Sequence, residues 1–467
     1  MKPNSFLVAA ALLSVAAIPA QTVTHYWIDA TNGNDANSGT QAQPFKSLTW
    51  ALGTQANDLH IHVLPGVYSP TNTGDFFDAV ANAPAQIRLR AYQNLRITGV
   101  DKATCILDFG AGNGPWGYFD IGAGCVDIEI SDLTMRNAGL DPWGNGAIAI
   151  NNGAQSVDIH NCYFEQTYST LIVWGGFDVA FHDNVITDAV PNTGQWPSVG
   201  VRVRTTVSSG DRTYIFNNTF YAIGQGISWS NDANNPQQWI INNVVLGATG
   251  KGYPNSVYQG THIVFEKNLA FNSTTWNYDP AIGPNGTAPL LSLTNLEVDP
   301  MLTNPVAGDY SPLAGSPCIE SGSVISHPYA MNDYAGNNRA VDSDENGSAI
   351  PDRGAIETTD ITLVVTNFGQ GLTATIDPQT TTPGTWATGA LFMSLDAAPA
   401  YYPWFGMFGP DPLSVAMLLG YPGVPYSITF PAFPGLDGIW VNMQFLGVKT
   451  IGSANVLKGT GMVKGLL

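Results

Sequence analysis

Six segments of this 467-residue chain share one pattern, in which an apolar strand, a polar turn and a second apolar strand follow one another. They read VDIEISDLTM, VDIHNCYFEQ, VAFHDNVITD, TYIFNNTFYA, QWIINNVVLG and IVFEKNLAFN. Their common turn position falls at Leu133, Cys162, Asn184, Asn218, Asn243 and Asn268. The step between these positions is about 25 residues, which is typical of one coil of a parallel β-helix.

A further short strand precedes most of these segments, and it reads AIAI, LIVW, VRVR, GISW or SVYQ. Each coil therefore offers three strands, and stacked coils pair each strand in parallel with its equivalents above and below. An asparagine amide can both donate and accept hydrogen bonds. We therefore expect Asn184, Asn218, Asn243 and Asn268 to form a buried ladder in the turn. A catalytic role and use of NNT at 217–219 for glycosylation are the alternatives, and a buried sequon would not be used.

The composition favours an all-β protein and excludes some partners. Charged residues make up 11% of the chain, 50 residues are Gly and 31 are Pro, and helical apolar patterns are scarce. With 36 acidic and 17 basic residues the net charge is -19, so a nucleic-acid groove is excluded because phosphate binding needs concentrated positive charge.

The first twenty residues have the pattern of a signal peptide. A short basic start is followed by the apolar run FLVAAALLSVAAIPA and small residues near Ala20. That run is too short to span a bilayer, and no later stretch is long and apolar enough to do so. We expect residues 1–20 to be removed and the mature chain to be a monomer that is secreted or displayed at the cell surface.

Four cysteines, Cys105, Cys125, Cys162 and Cys318, lack the close spacing of a metal cluster. In an oxidising compartment they could pair, and Cys105 with Cys125 is the sequence-local pairing. The alternative is that all four are buried free thiols.

Two flanking segments carry a family resemblance. YWIDATNGNDANSGTQAQPFKSLTWAL at 26–52 and HIHVLPGVYS at 60–69 share a pattern of Gly, Asp, Pro and aromatic residues. The matching residues are Tyr26, Gly33, Asp35, Gly39, Thr40, Pro44, Phe45, Pro65, Gly66 and Tyr68. This pattern resembles the N-terminal cap of secreted bacterial right-handed parallel β-helix proteins of the pectin-lyase-like superfamily. The segments at 299–322 and 333–357 are similar to the part that closes many such domains.

The resemblance implies a right-handed parallel β-helix with an N-terminal cap over residues 21–358. The superfamily includes polysaccharide lyases, glycoside hydrolases, phage tailspikes and non-catalytic surface proteins, so the resemblance implies fold more than activity. Residues 361–467 differ in texture, because ITLVVTNFGQGLTATI reads as two alternating strands around a Gly-rich turn. We expect them to form a small β-sandwich-like domain.

Strand alternation predicts a first candidate site on the outer face of the coils. It places Glu129 beside Asp158 and His160 beside His182, at about the 4.8 Å spacing of neighbouring strands. Two carboxylates at such a distance could serve as a retaining glycosidase pair, and an imidazole could act as base or metal ligand. The alternative is an ordinary polar surface.

A second candidate site lies on the LIVW to SVYQ face, where Trp174, Arg202, Arg204 and Tyr258 are expected to point outward. The resemblance implies arginines that neutralise a uronate carboxylate and catalyse proton removal, with aromatic residues that stack on sugars. Structural pairing of Arg202 and Arg204 with Asp183 or Asp211 is the alternative.

A third candidate is DSDENGSAIPD, which begins like a calcium loop. Asp342, Asp344 and Asn346 stand at its alternate positions, and Asp352 stands one residue before the usual acidic ligand. Arg353 occupies the position of that ligand. The pattern predicts a structural calcium site, with a solvated acidic loop as the alternative.

Three functions are compatible with the sequence. The protein could be a secreted lyase or glycoside hydrolase that binds and cleaves a polysaccharide. It could instead be a non-catalytic surface or adhesion protein that binds a cell-surface glycan, or a structural stalk. The sequence does not identify the substrate.

Overall fold

The computed structural model describes much of the chain. The described residues are 23–54, 57–75, 77–78, 83–84, 86–110, 117–138, 146–187, 198–205, 211–231, 237–254, 263–279, 294–325, 332–339, 341–342, 348–359, 361–366, 372–378, 385–394, 397–402, 406–410, 416–420, 426–430, 440–451, 454–460 and 462–466. The predicted signal peptide lies outside them.

Three all-parallel sheets dominate the described part of the chain, and each takes one strand from successive coils. The nine-strand sheet contains Thr24–Ile28, Asn57–Val63, Gln93–Gly99, Val126–Ser131, Gln155–His160, Phe177–His182, Arg212–Phe216, Gln237–Ile241 and Ile263–Glu266. The eight-strand sheet contains Gly66–Tyr68, Cys105–Asp108, Thr134–Arg136, Tyr163–Glu165, Val185–Thr187, Thr219–Tyr221, Val244–Leu246 and Leu269–Phe271. The six-strand sheet contains Ile87–Leu89, Gly117–Ile121, Gly146–Ile150, Ser169–Val173, Val199–Thr205 and Gln225–Asn231. The expected parallel β-helix is confirmed.

Shorter elements complete this domain. Lys251–Tyr253 and Trp276–Tyr278 form a parallel pair that continues the coils. The helix Leu48–Thr54 lies at the end of the first segment that resembles an N-terminal cap. Phe77–Asp78 pairs with Ala83–Pro84, and Leu302–Asn304 pairs with Asp309–Pro312 around the 3-10 turn Pro305–Ala307.

The lumen is filled by the inward residues of each strand. In the nine-strand sheet one inward column consists of Ile61, Ile97, Ile130, Ile159, Phe181, Ile215, Ile240 and Phe265. These side chains belong to one continuous hydrophobic core. Because strand side chains alternate, the neighbouring residues of each strand must lie on the outer face.

The asparagine ladder is confirmed. The Asn218 side-chain oxygen accepts from the backbone N–H of Asn184 at 3.0 Å. The Asn243 side-chain oxygen accepts from the backbone N–H of Asn218 at 3.1 Å. Asn268 repeats the contact with Asn243, and Asn295 continues it by accepting from Asn268 at 2.8 Å. The ladder therefore extends one coil further than the repeat predicted.

A left-handed residue precedes each of the six turn positions of the repeat, from Leu133 to Asn268. These residues are Asp132, Asn161, Asp183, Asn217, Asn242 and Lys267, all with φ between 53° and 59°. Asn and Asp tolerate this conformation better than most residues, which explains the frequent polar pairs in the turns. The asparagine pair at 217 and 218 is therefore structural. Asn217 adopts the left-handed conformation of the turn, and Asn218 belongs to the hydrogen-bonded ladder.

The four cysteines are buried free thiols, so the Cys105–Cys125 pairing does not form. Cys162 occupies the turn column, where its backbone N–H donates to the Asn184 side chain at 2.9 Å. Burial raises the pKa of the Cys162 and Cys318 thiols. These cysteines act as small apolar residues of the core.

The residues from Ile361 onward form antiparallel sheets. One contains Ile361–Thr366, Leu372–Pro378 and Tyr426–Phe430; another contains Thr385–Ser394, Ala416–Gly420, Trp440–Ile451, Ala454–Gly459 and Val463–Leu466. Ala397–Tyr402 pairs with Gly406–Pro410. Leu363, Val365, Ala374 and Ile376 of the first sheet share a core with Leu391, Val441, Met443 and Phe445 of the second. Two antiparallel sheets around one core form the expected sandwich-like arrangement.

Candidate functional site

The outer face of the nine-strand sheet carries the first predicted site in the predicted register. Glu129 pairs with Asp158, and His160 pairs with His182. Further along the sheet the same columns continue through Tyr214 and Phe216. The alignment of the repeats therefore assigned these side chains to the correct face.

Glu129, Asp158 and His160 converge on one another. The His160 Nε2 atom lies 3.6 Å from a Glu129 carboxylate oxygen and 3.9 Å from an Asp158 carboxylate oxygen. Glu129 also forms an ion pair with Arg96. Burial opposes a charge on His160, but Asp158 and Glu129 outweigh it and raise the pKa of the imidazole. Glu129 is thus paired with Arg96, and both carboxylates lie within 4 Å of the His160 imidazole.

His182 lies deeper in this cluster and is 1% exposed. Its Nε2 is 3.0 Å from Asp158 and its Nδ1 is 2.6 Å from Asp183. Burial disfavours the charged ring, but the two carboxylates prevail and raise the pKa of His182 to about 9. The ring is therefore an imidazolium at neutral pH, which makes it a bridge between carboxylates and a poor general base.

Arg339 closes this network from a distant part of the chain. Its guanidinium forms ion pairs with Asp183 and, at 2.9 Å, with Glu357. Burial opposes the charge of Arg339, but the surrounding carboxylates raise its pKa. Because His182, Asp183, Arg339 and Glu357 are all buried, this part of the predicted catalytic patch is an internal ion-pair network.

A neighbouring segment covers the apolar part of the same face. Phe216 and Ile241 are 1% and 6% exposed, and they form a small core with Tyr214, Trp239 and Ile325. The lumen column contains Ile215 and Ile240, so the inward and outward assignment of these coils is confirmed. The covering residue Ile325 belongs to the segment that follows the coils.

An open cleft of about 430 Å³ lies on the outer face of the six-strand sheet. Gln86, Arg88, Arg90, Asp120, Ala149, Asn151 and Trp174 line it. Arg88, Asp120 and Ala149 form one column across three coils. The side chains of Arg88 and Arg90 are 70% and 43% exposed, so the cleft presents two guanidinium groups to solvent.

Hydrogen bonds fix the floor of the cleft. Arg90 donates to the Asp120 carboxylate at 2.7 Å, and the Asn151 amide donates to the other oxygen of that carboxylate at 2.6 Å. Arg88 donates to the Gln86 side chain at 2.8 Å and lies 3.9 Å from Asp120. One carboxylate thus faces two guanidinium groups, which leaves the cleft with a local positive charge.

The predicted groove residues fall differently. Trp174 lines the cleft. Arg202 occupies the same outward column as Asp120 and Ala149, but it is only 6% exposed and is not part of the open surface. The Arg204 side chain and Tyr258 lie outside the described residues.

The predicted calcium loop is described in part. Asp344 and Asn346 lie outside the described residues. Asp352 is buried, and it accepts from the backbone N–H groups of Glu320 at 2.7 Å and Thr358 at 2.8 Å. Burial raises the pKa of Asp352 to about 6. The buried Asp342 contributes its carbonyl oxygen to Lys458 of the C-terminal domain.

The repeat alignment missed Arg88, Arg90 and Asp120 because it began at Val126, and it did not single out Asn151, which directly follows the strand AIAI. A signal was present: IRLR at 87–90 has the same alternation as VRVR at 201–204. The two segments belong to the same sheet, IRLR to its first strand and VRVR to its fifth.

The chain is similar in part to known proteins. Residues 31–89 match the family described as "Protein of unknown function (DUF1565)". No curated protein matches the chain in sequence. Three solved structures are similar: a rhamnogalacturonan lyase, a GH136 lacto-N-biosidase from Eubacterium ramulus and the pectate lyase Pel9A.

The sequence identities of these three are 13%, 12% and 15%, with TM-scores of 0.36, 0.34 and 0.29. The matches cover 53%, 52% and 72% of this chain and 74%, 55% and 97% of the respective structures. The three all-parallel sheets establish the fold. The protein has a parallel β-helix. Among the described residues, this β-helix protein has no helix of sufficient length and hydrophobicity to cross a membrane.

Proposed function

We propose that this β-helix protein binds an acidic polysaccharide in the cleft of the six-strand sheet. The observation that carries the proposal is the exposed guanidinium pair of Arg88 and Arg90 beside the indole of Trp174. In a chain with a net charge of -19, two exposed arginines in one cleft are a local exception that favours an anionic ligand.

The chemistry of the lining suits a uronate-containing chain. A guanidinium binds a carboxylate through two parallel N–H donors, which a lysine ammonium cannot do. The apolar face of an indole packs against the C–H face of a sugar ring, and its N–H offers a donor. Asp120 and Asn151 can exchange hydrogen bonds with sugar hydroxyls.

The size of the cleft favours an oligosaccharide segment. Its lining residues come from four successive strands of the six-strand sheet, from Ile87–Leu89 to the residue after Ser169–Val173. Three strand spacings correspond to about 14 Å, which exceeds the size of one sugar ring. We therefore propose that the ligand lies across the strands, with successive sugars over successive coils.

Binding, rather than bond cleavage, is the function that the geometry supports best. Within the described lining the one carboxylate is Asp120, and it is already bridged to Arg90 and Asn151. The carboxylates of Glu129 and Asp158 lie in an ion-pair network on another sheet. From the signal-peptide pattern of residues 1–20 we infer export to the cell exterior, where acidic polysaccharides are found.

A binding panel tests the proposal. In affinity electrophoresis, gels that contain pectin or alginate should retard the protein, and a gel that contains a neutral glycan should not. Trp174→Ala should weaken that binding about tenfold, which corresponds to about 1.4 kcal/mol of lost stacking. Trp50→Ala is the matched control, because Trp50 is 52% exposed on the cap helix.

The charge requirement has its own variants. The double variant Arg88→Ala/Arg90→Ala should no longer be retarded by gels that contain an acidic polysaccharide. Arg212→Ala should be retarded as strongly as the wild type. Arg212 is a fair control because its side chain is also 43% exposed. Retardation of the double variant equal to that of the wild type would contradict the proposal. So would retardation of the wild type by the neutral glycan alone. Reducing ends and unsaturated products measured in the same samples separate binding from cleavage, and added EDTA tests the expected calcium.

A further inference from the structure

Three histidines meet at the N-terminal end of the nine-strand sheet. His25 of Thr24–Ile28 pairs with His60 of Asn57–Val63, and His62 follows on the same outer face. One ring nitrogen of each lies within 4.8 Å of the others. The ring centroids of His60 and His62 are 4.0 Å apart, and those of His25 and His62 are 5.2 Å apart.

We propose that His25, His60 and His62 bind a divalent transition-metal ion of the Zn²⁺ type. Neutral imidazole is a preferred ligand of zinc, and three protein nitrogens with an open fourth position form a known type of zinc coordination. Tetrahedral zinc with bonds of 2.0–2.1 Å places its nitrogen ligands about 3.4 Å apart. The ring nitrogens now lie within 4.8 Å of one another, and small rotations of the three side chains can bring them to about 3.4 Å.

The contact between His25 and His62 supports this arrangement. His25 Nδ1 and His62 Nε2 are 2.9 Å apart, so one ring donates an N–H and the other accepts it with a lone pair. The accepting lone pair is directed into the cluster, where an ion can replace the shared proton.

Neighbouring residues hold these rings in place. The Thr98 hydroxyl lies 3.1 Å from His60 Nε2, and a second-shell hydrogen bond of this kind orients metal-binding histidines. Trp27 stacks on His62 with ring centroids 4.7 Å apart. Arg96, the partner of His60 in the next coil, is compensated by Asp127 and Glu129. These two carboxylates reduce the repulsion between the Arg96 guanidinium and a bound cation.

The site would connect the first strand of the β-helix to the second. Thr24–Ile28 is the terminal strand of its sheet, where its neighbour is Asn57–Val63. An ion held by His25 on one side and His60 and His62 on the other would tie this edge strand to the coil beside it. The open coordination position would face the outer surface.

Zinc binding to the untagged full chain tests the proposal. After removal of metals with EDTA, titration calorimetry should give one zinc ion per chain. His25→Ala, His60→Ala and His62→Ala should each weaken binding by more than the 10–100-fold that loss of a second-shell group costs. His160→Gln, which changes an imidazole of the same sheet outside the cluster, should retain full binding. No zinc binding by the wild type, or unchanged binding in all three alanine variants, would overturn the proposal.

A cobalt spectrum keeps the test valid if the variants fold poorly. Co²⁺ added to the wild-type chain should give the intense visible bands of a tetrahedral nitrogen-rich site, and Zn²⁺ should abolish them by competition. The weak bands of octahedral, water-bound cobalt would contradict the proposal. Both measurements are independent of glycan binding.

Discussion

At the scale of single residues, each ladder asparagine replaces several backbone partners. The Asn218 amide donates to the carbonyl oxygens of Phe181 and Phe216, both at 2.9 Å, and to Asn243. Its side-chain oxygen accepts from the Asn184 backbone. All of these groups are buried, so no water can replace the lost bonds.

Asn218→Ala should therefore lower the free energy of unfolding by at least about 3 kcal/mol, since each buried polar group without a partner costs about 1–3 kcal/mol. Asn152→Ala is the control, because Asn152 is exposed in its turn, and it should stay within about 0.5 kcal/mol of wild type. Denaturant unfolding measures both. Equal stability of the two variants would mean that the ladder does not stabilise the coils.

His182 gives a second residue-scale prediction. Its pKa in the folded protein is about 9, against an ordinary value of 6.5. A raised pKa stabilises the fold fully below pH 6.5, and this contribution declines as the pH rises toward 9. By linkage it is on the order of 3 kcal/mol.

The wild-type free energy of unfolding should therefore fall between pH 6.5 and 9 more steeply than that of His182→Gln. Denaturant unfolding at several pH values measures this difference. An NMR titration of labelled histidines measures the pKa itself. An ordinary pKa for His182 would show that the ring is not the bridging cation inferred here.

At the scale of elements, the segment after the coils clamps their turns. The Gly354 N–H donates to the Asn242 carbonyl oxygen at 2.7 Å, and the Ala355 N–H donates to the Thr219 hydroxyl at 2.9 Å. Asn242 and Ser323 exchange hydrogen bonds in the same way. Arg339 adds its ion pairs with Asp183 and Glu357.

Arg339→Met should cost about 3–5 kcal/mol of unfolding free energy, because it leaves buried carboxylates without their cation. Arg212→Met removes a partly exposed ion pair with Asp178 and should cost less than about 1 kcal/mol. Thermal or denaturant unfolding compares the two. If they destabilise the protein equally, the clamp does not depend on the buried ion pairs.

Local patterns predicted the coils but not their clamps. Strand alternation and the turn asparagines were sufficient to assign Glu129, Asp158, His160 and His182 to their columns. Arg339 and Asp183 are 156 residues apart, and no periodicity relates them. Arg339 pairs with Asp183, the chain neighbour of His182, so the sequence could suggest the patch but not this ion pair. The cleft was missed for a simpler reason, because the alignment omitted the coils that contain Arg88 and Asp120.

At the scale of the whole molecule, the β-helix has faces with different roles. The outer face of the nine-strand sheet is covered in its later coils by the segment that contains Ile325 and Arg339. The C-terminal domain contacts the same region, since Asn332 and Met462 exchange hydrogen bonds of 2.6 and 2.9 Å. The cleft on the six-strand sheet remains open to solvent and is the surface that we assign to the ligand.

A crystal structure with an acidic oligosaccharide tests this account most directly. We expect a sugar ring stacked on Trp174 and a sugar carboxylate within hydrogen-bonding distance of Arg88 or Arg90, with further sugars across the neighbouring strands. An oligosaccharide ordered on the nine-strand sheet beside Glu129 and His160, with the Trp174 cleft empty, would contradict it.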